Sequence, residues 1–234
     1  MTTRIGVVRF PGSNCEDETI AAVERAGASG VLLDYRATSL DSVDAVLLPG
    51  GFSYGDYLRS GAIARFAPVM DAVRAHAEAG GVVIGICNGF QIACEAGLLP
   101  GALLRNAQQR FTSRPVDVRI ERTDTACTSG FTVGDLIRIP VAHGEGRYVA
   151  DADTLDRLEG DGLVVMRYVQ EVGADAPHNP NGSARDIAGI CNEAGNVVGF
   201  MPHPERLADA VLGSDAGHRV FTSLVDRLGA AVPA

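Results

Sequence analysis

Apolar and polar positions change rhythm along the chain. The first ninety residues carry short, nearly continuous apolar runs at 4–10 (RIGVVRF), 30–35, 44–48 and 81–86. Runs of this length, rich in β-branched residues and bounded by glycine or proline, read as strands, the first as one covered on both faces and the last as a buried one. Segments of helical period lie between and after them, at 15–26, at 63–79 and at 91–97, the second stopped by Gly80 and Gly81. Strand alternating with helix implies parallel strands joined by right-handed crossovers. From 116 the rhythm becomes strict alternation, at 116–121 and 136–141, as in antiparallel strands with one face exposed. Further strands are expected at 163–169, 184–192 and 196–201, a loop at 175–183 (DAPHNPNGS) and a final helix at 215–228. The expected fold is α/β. A doubly wound, mostly parallel sheet carries helices on both faces and a few antiparallel strands. No repeat or linker interrupts it, so 1–234 is expected to form a single domain.

In such sheets ligands bind outside the carboxyl ends of the strands. Two conspicuous sequences fall there. Pro49-Gly50-Gly51 closes the third run, and Gly85-Ile86-Cys87-Asn88-Gly89 closes the fourth. The second has the form of a nucleophile elbow, with cysteine where serine is commoner. The elbow forces an unfavourable backbone on its central residue, and Gly85 and Gly89 leave room for it. Cys87 would then stand at a helix N-terminus, whose unpaired N–H groups favour the thiolate, the nucleophilic form. The bland alternative is a buried structural cysteine.

A nucleophilic cysteine needs a base, and the base an orienting group. Of the five histidines, His76 reads as surface helix, His178 as loop and His218 as part of the last helix. His143 and His203 each have a glutamate two residues on, Glu145 and Glu205. In extended backbone such pairs point the same way, so either could form a His–Glu couple. Pro202 and Pro204 bracket His203 and hold its neighbourhood extended. His143 lies among glycines, a looser frame. His203 with Glu205 is the favoured couple.

Composition removes several function classes. A net charge of −9 and a pI of about 5.0 argue against nucleic acid as the main partner. The 20 basic residues are all arginine. Without lysine, a Walker-type phosphate loop and a lysine Schiff base are both excluded. Five cysteines with no Cys-x-x-Cys spacing argue against a disulfide framework or a zinc site. No apolar run reaches membrane-spanning length. Thr2, Thr3 and Arg4 lead straight into a strand, so no secretory leader is expected, and the expected location is the cytoplasm.

Pro49-Gly50-Gly51, the 85–91 segment GICNGFQ and His203-Pro204-Glu205-Arg206 resemble the three motif blocks of the class I (triad) glutamine amidotransferases. The longer words FPGSNC (10–15), PGGFSYGDY (49–57), AHGEGR (142–147) and MPHPER (201–206) are similar to the branch that serves purine biosynthesis. The likeness runs from first strand to last helix, with no departure at a catalytic position. It implies that Cys87 attacks the glutamine carboxamide, with His203 as acid–base and Glu205 orienting it. It implies an oxyanion hole of backbone N–H groups at Gly51 and Asn88. It also implies glutamine binding by Gly50, Gly51, Gln91 and His143. For Gln91 the plain alternative is an exposed polar residue on a helix. No cofactor or metal is expected on this chain. ATP and magnesium would sit on a partner, a PurL-type synthetase subunit, with a PurS-type small subunit completing the assembly. The ammonia would serve ATP-dependent conversion of formylglycinamide ribonucleotide to formylglycinamidine ribonucleotide. Two rival readings are PfpI-like proteins, which share the elbow cysteine but lack the C-terminal His-x-Glu, and a redox-sensing or scaffold role for a reactive thiol.

Overall fold

The structure is a computed structural model and describes residues 2–40, 42–170 and 178–230. In chain order the elements are β1 (Arg4–Arg9), α1 (Glu16–Arg25), β2 (Ser29–Asp34), β3 (Ala45–Leu48), α2 (Val69–Glu78), β4 (Val82–Ile86) and α3 (Asn88–Glu95). Then follow β5 (Ala102–Leu104), β6 (Thr112–Ile120), β7 (Leu136–His143), β8 (Arg147–Val149), α4 (Ala152–Gly160), β9 (Val164–Val169), β10 (Ile187–Cys191), β11 (Val197–Phe200) and α5 (His218–Ala230).

Nine strands form one sheet in the order β2-β1-β3-β4-β11-β10-β9-β6-β7, and β5 pairs with β8 in a separate ribbon. The five strands from β2 to β11 run parallel, while β10, β9, β6 and β7 join by antiparallel pairing. The burial patterns follow the two sequence rhythms except at the edge strand β2, where only Leu33 is buried and Leu32 is exposed. β3, β10 and β11 are buried at every position. β7 alternates, with Ile137, Ile139, Val141 and His143 inward. This is the doubly wound α/β fold that the apolar runs predict, with the antiparallel extension where alternation begins.

Local chemistry sets the element ends. The first turn of α1 holds Glu16, Asp17 and Glu18 and its last turn Arg25, matching the helix dipole at both ends. Asp151 caps α4, its side chain accepting from the Thr154 N–H at 2.7 Å.

Three expectations need correction. The helix expected over 63–79 is two pieces, a 3₁₀ turn at Ala64–Phe66 and α2. Pro68 disfavours helical geometry at the preceding residue, and Ala67 has ψ 141°. The strand expected over 184–192 opens with a 3₁₀ turn, Ala184–Asp186, and is β only from Ile187. The short elements β5, β8 and α4 have no counterpart among the expected ones. The loop expected at 175–183 lies partly outside the described residues.

At the parallel strand ends glycine is required by contact. A Cβ on Gly89 would lie 1.9 Å from the Leu48 carbonyl oxygen, so α3 rests directly on the backbone leaving β3. Gly160, in contrast, has no atom within 4 Å of such a Cβ. Gly89→Ala is expected to lower stability by at least ~1–3 kcal/mol through overpacking. Gly160→Ala should raise it by ~0.5–1 kcal/mol, the ordinary helical preference. Urea unfolding of both variants checks the pair.

Candidate active site

β4 and β11 are parallel neighbours, with Ile86 opposite Phe200. The next residue on β4 is Cys87, whose N–H donates to the Phe200 carbonyl at 2.8 Å. Cys87 has φ 51° and ψ −103°, a strained positive-φ backbone of the kind an elbow demands, and stands at the N-cap position of α3. A Cβ on Gly85 would lie 2.5 Å from the Gly89 carbonyl oxygen, so both glycines provide the room expected of them. Three residues beyond β11, the His203 N–H donates to the Pro140 carbonyl of β7 at 2.8 Å. Adjacent strand ends thus deliver the thiol and the imidazole to one place.

His203 and Glu205 are both buried, and His203 Nδ1 lies 2.5 Å from Glu205 Oε1. Glu145 makes no such pair with His143. It accepts from the Ser60 hydroxyl at 2.9 Å and lies 3.6 Å from Arg105. Of the two candidate His–Glu pairs, then, the fold couples His203 with Glu205. Burial opposes a charge on His203, but the Glu205 carboxylate, joined by Cys87, more than offsets it and holds the imidazole well above its ordinary range.

Cys87 opens into a cavity of about 260 Å³. That is near the small end of ligand pockets, ~300–1,000 Å³. Gly51, Gln91, Asp56, Arg110, His143 and Glu145 are among its lining residues. A smaller recess beside it is lined by Cys15, Gly51, Cys87, His203 and Arg206. Gly51 pairs with Ser13 in an isolated antiparallel bridge whose bonds run from Phe52 N to Gly12 O and from Asn14 N to Gly50 O. The Gly51 N–H therefore takes no part in that ladder. Its φ is 151°, and a Cβ there would lie 2.7 Å from Ser13 Cα. The Asn88 N–H is one of the first of α3, which intrahelical bonding leaves unsatisfied. Both N–H groups are of the kind that stabilises an oxyanion beside Cys87. Gly50 lies against the base itself, since its Cβ would fall 2.7 Å from His203 Cε1.

Gln91 is buried rather than exposed. It donates to the Glu145 carbonyl at 2.6 Å and accepts from Asn88 Nδ2 at 2.8 Å. His76, expected at the surface, is half-buried, and burial lowers its pKa. His178 pairs with Asp186 at 3.2 Å, and His218 opens α5.

His143 does not sit in a loose frame. Its buried ring lies between Asn106 Oδ1, 3.1 Å from Nδ1, and Asn181 Nδ2, 3.5 Å from Nε2. Asn106 also donates to the His143 carbonyl and accepts from the Gly146 N–H. Burial, reinforced by His203, lowers the His143 pKa to about 4. Its ring packs against Gly146, and Ala142, His143 and Gly144 line the cavity.

Cys15 is the residue that the sequence did not single out. It is buried at the start of α1, donates to Asn14 Oδ1 at 3.2 Å and accepts from Arg206 Nη2 at 3.3 Å. Potential metal-ligating atoms of Cys15, His203 and Glu205 lie within 4.8 Å of one another. His203 and Glu205 already bond to each other there, which suits a proton-transfer couple better than an ion cage. Only its place in FPGSNC, at the mouth of β1, hinted at this position.

Because the His143 pKa is depressed in the folded state, its contribution to stability is present above pH ~6.5 and lost as pH falls toward 4. The loss should be roughly 3 kcal/mol. His143→Gln cannot titrate. Its stability deficit against the unaltered protein should therefore shrink by about that amount between pH 7 and pH 4. Urea unfolding across this range measures the difference.

Residues 2–221 match the CobB/CobQ-like glutamine amidotransferase domain family. The phosphoribosylformylglycinamidine synthase subunit PurQ of Rubrobacter xylanophilus is 56% identical over 222 residues, covering 95% of this chain and 97% of that one. Its Thermus thermophilus counterpart is 54% identical over the same share. Among solved structures, a chain from PurLQS of Thermotoga maritima superposes with a TM-score of 0.86 at 43% identity, covering 97% of this chain and all of that one. Matched from end to end in sequence and in backbone, the chain belongs to the glutamine amidotransferase family, in the group whose members carry the PurQ name.

Proposed function

We propose that this chain hydrolyses the side-chain amide of L-glutamine through Cys87, His203 and Glu205, and passes the ammonia to a synthetase. The observation that carries this reading is the buried His203–Glu205 pair, whose imidazole lines the recess onto which Cys87 opens. Cys87 Sγ attacks the carboxamide carbon, and the N–H groups of Gly51 and Asn88 receive the oxyanion. Donors of this kind contribute ~10²–10³ in rate. His203 gives a proton to the departing ammonia. It then takes one from the water that hydrolyses the γ-glutamyl thioester, with Glu205 fixing the ring. Gln91 and the backbone at Gly50, Gly51 and 142–144 hold the substrate, while the His143 ring keeps that backbone in place.

The names of the relatives and of the Thermotoga assembly support a PurL-type synthetase as partner and a PurS-type small subunit beside it. The product of that assembly is formylglycinamidine ribonucleotide, made from the formylglycinamide with ATP. A chain without lysine has no phosphate loop of its own, in keeping with ATP and magnesium on the synthetase and a cytoplasmic assembly.

One observation favours a second reading of the nucleophile. Cys15 Sγ also lies against the His203–Glu205 pair. Its backbone is not strained into an elbow, however, and it does not line the larger cavity. In the reconstituted assembly, Cys87→Ala should lower glutamine-dependent turnover by at least ~10⁴, since triad members act as a unit. Turnover with ammonium salt should survive. Cys15→Ala should keep glutamine-dependent turnover. Glutamate release and ATP-dependent product formation measure both, and an inactive Cys15→Ala beside an active Cys87→Ala would reverse the assignment.

A further inference from the structure

The loop after β3 is strained. Tyr54, Gly55, Asp56 and Leu58 have φ of 52°, 70°, 55° and 70°, so three residues with side chains occupy the left-handed region. Four hydrogen bonds pin the turn. Phe52 N donates to Gly12 O at 2.9 Å, Tyr54 N to Pro11 O at 2.6 Å and Gly55 N to Phe52 O at 2.8 Å. Ser53 N donates to Asn88 Oδ1 at 3.1 Å, on the helix that begins at Cys87. The strained loop is therefore braced by the exit of β1 and by α3, and Asp56 on it lines the Cys87 cavity.

Asp56 Oδ1 is buried and has no hydrogen-bond partner. Burial pushes the carboxyl up to about 6, the Ser60 hydroxyl pulling against it and Glu145 adding to it. Glu145 lines the same cavity with its carboxylate engaged by Ser60 and Arg105. An acidic wall with one unfilled acceptor suits a cation that brings its own hydrogens, and an ammonium has three. Arg105 and Arg110 line the same cavity, as an α-carboxylate requires. The combination matches the zwitterionic end of a free amino acid whose amide end reaches Cys87.

We propose that Asp56 reads the free α-ammonium group of the substrate, so that the site takes free glutamine and refuses glutamine whose amine is acylated. This rests on the glutaminase reading above.

The test uses two diazoketones that alkylate the active-site thiol. One is 6-diazo-5-oxonorleucine, which carries the α-ammonium and α-carboxylate of glutamine, and the other is the same acid without the amine. In each, the Cys87 sulfur bonds to the diazo carbon, that carbon takes the thiol proton and dinitrogen leaves. The full chain, purified with its native partners, is labelled by each reagent, and Cys87 modification is followed by mass spectrometry. The readout is the ratio of the two second-order rate constants, in the unaltered protein and in Asp56→Asn. Asparagine keeps the shape and tolerates the left-handed backbone, so the variant should fold. The preference for the amine-bearing reagent should fall about 10- to 100-fold, as for a lost hydrogen bond to a charged group. A ratio that stays the same, whether both rates hold or both fall together, overturns the inference while leaving the glutaminase reading in place. An unaltered protein whose Cys87 resists both reagents overturns the glutaminase reading and this inference with it.

Discussion

The site depends on the register between two short parallel strands. Pairing of Ile86 with Phe200 sets the elbow thiol and the imidazole on neighbouring strand ends. A slip of one residue would move them apart by about 3.3 Å and turn every side chain of the slipped strand to the other face. Glycine locks the register at close quarters. A Cβ on Gly199 would lie 2.2 Å from the Phe90 ring, and one on Gly85 would meet the backbone of α3. The helix that orients Cys87 is thus seated on both strands, and no second alignment offers it the same fit.

A network of polar contacts holds the other wall of the cavity. Asn106 and Asn181 grip the ring of His143 and the backbone from His143 to Gly146. Ser183 continues the network, its hydroxyl donating to Asn181 Oδ1 at 2.7 Å and accepting from the Tyr148 N–H. Buried networks of this kind specify one arrangement when every member is satisfied. The antiparallel half of the sheet supplies this rigid backbone, and the parallel half supplies the thiol, the imidazole and the carboxylate.

The fold was legible where one signal dominated. Short continuous apolar runs between glycines and helical segments read as strands, and Gly85 and Gly89 about Cys87 as a tight strand-to-helix turn. The His203–Glu205 couple was legible from its spacing, although Glu205 sits in a 3₁₀ turn, Pro204–Leu207, and not in the extended backbone expected there. Legibility failed where competing signals met. Pro68 interrupts a helical period that otherwise runs on to Ala79. The burial of Gln91 and His143 depends on segments far away in sequence, Glu145 for one and Asn106 and Asn181 for the other, and no local spacing reports such contacts. Cys15 stayed hidden for the same reason, since its neighbours Arg206 and His203 come from the opposite end of the chain. Asp56 was visible only as part of a motif, because its meaning lies in an unfilled oxygen that composition does not show.

All five cysteines are free and buried, yet they stand in different surroundings. Cys87 faces a cavity. Cys94 on α3, Cys127 in the β6–β7 connection and Cys191 at the end of β10 are enclosed, and burial raises the pKa of each. An enclosed thiol reacts only when its own part of the molecule opens. The chain therefore carries built-in reporters of local opening in the parallel half, the antiparallel half and their seam. Once Cys87 and Cys15, which line the adjoining cavity and recess, are blocked, the order in which a mild thiol reagent reaches the other three sulfurs maps which parts of the sheet breathe together.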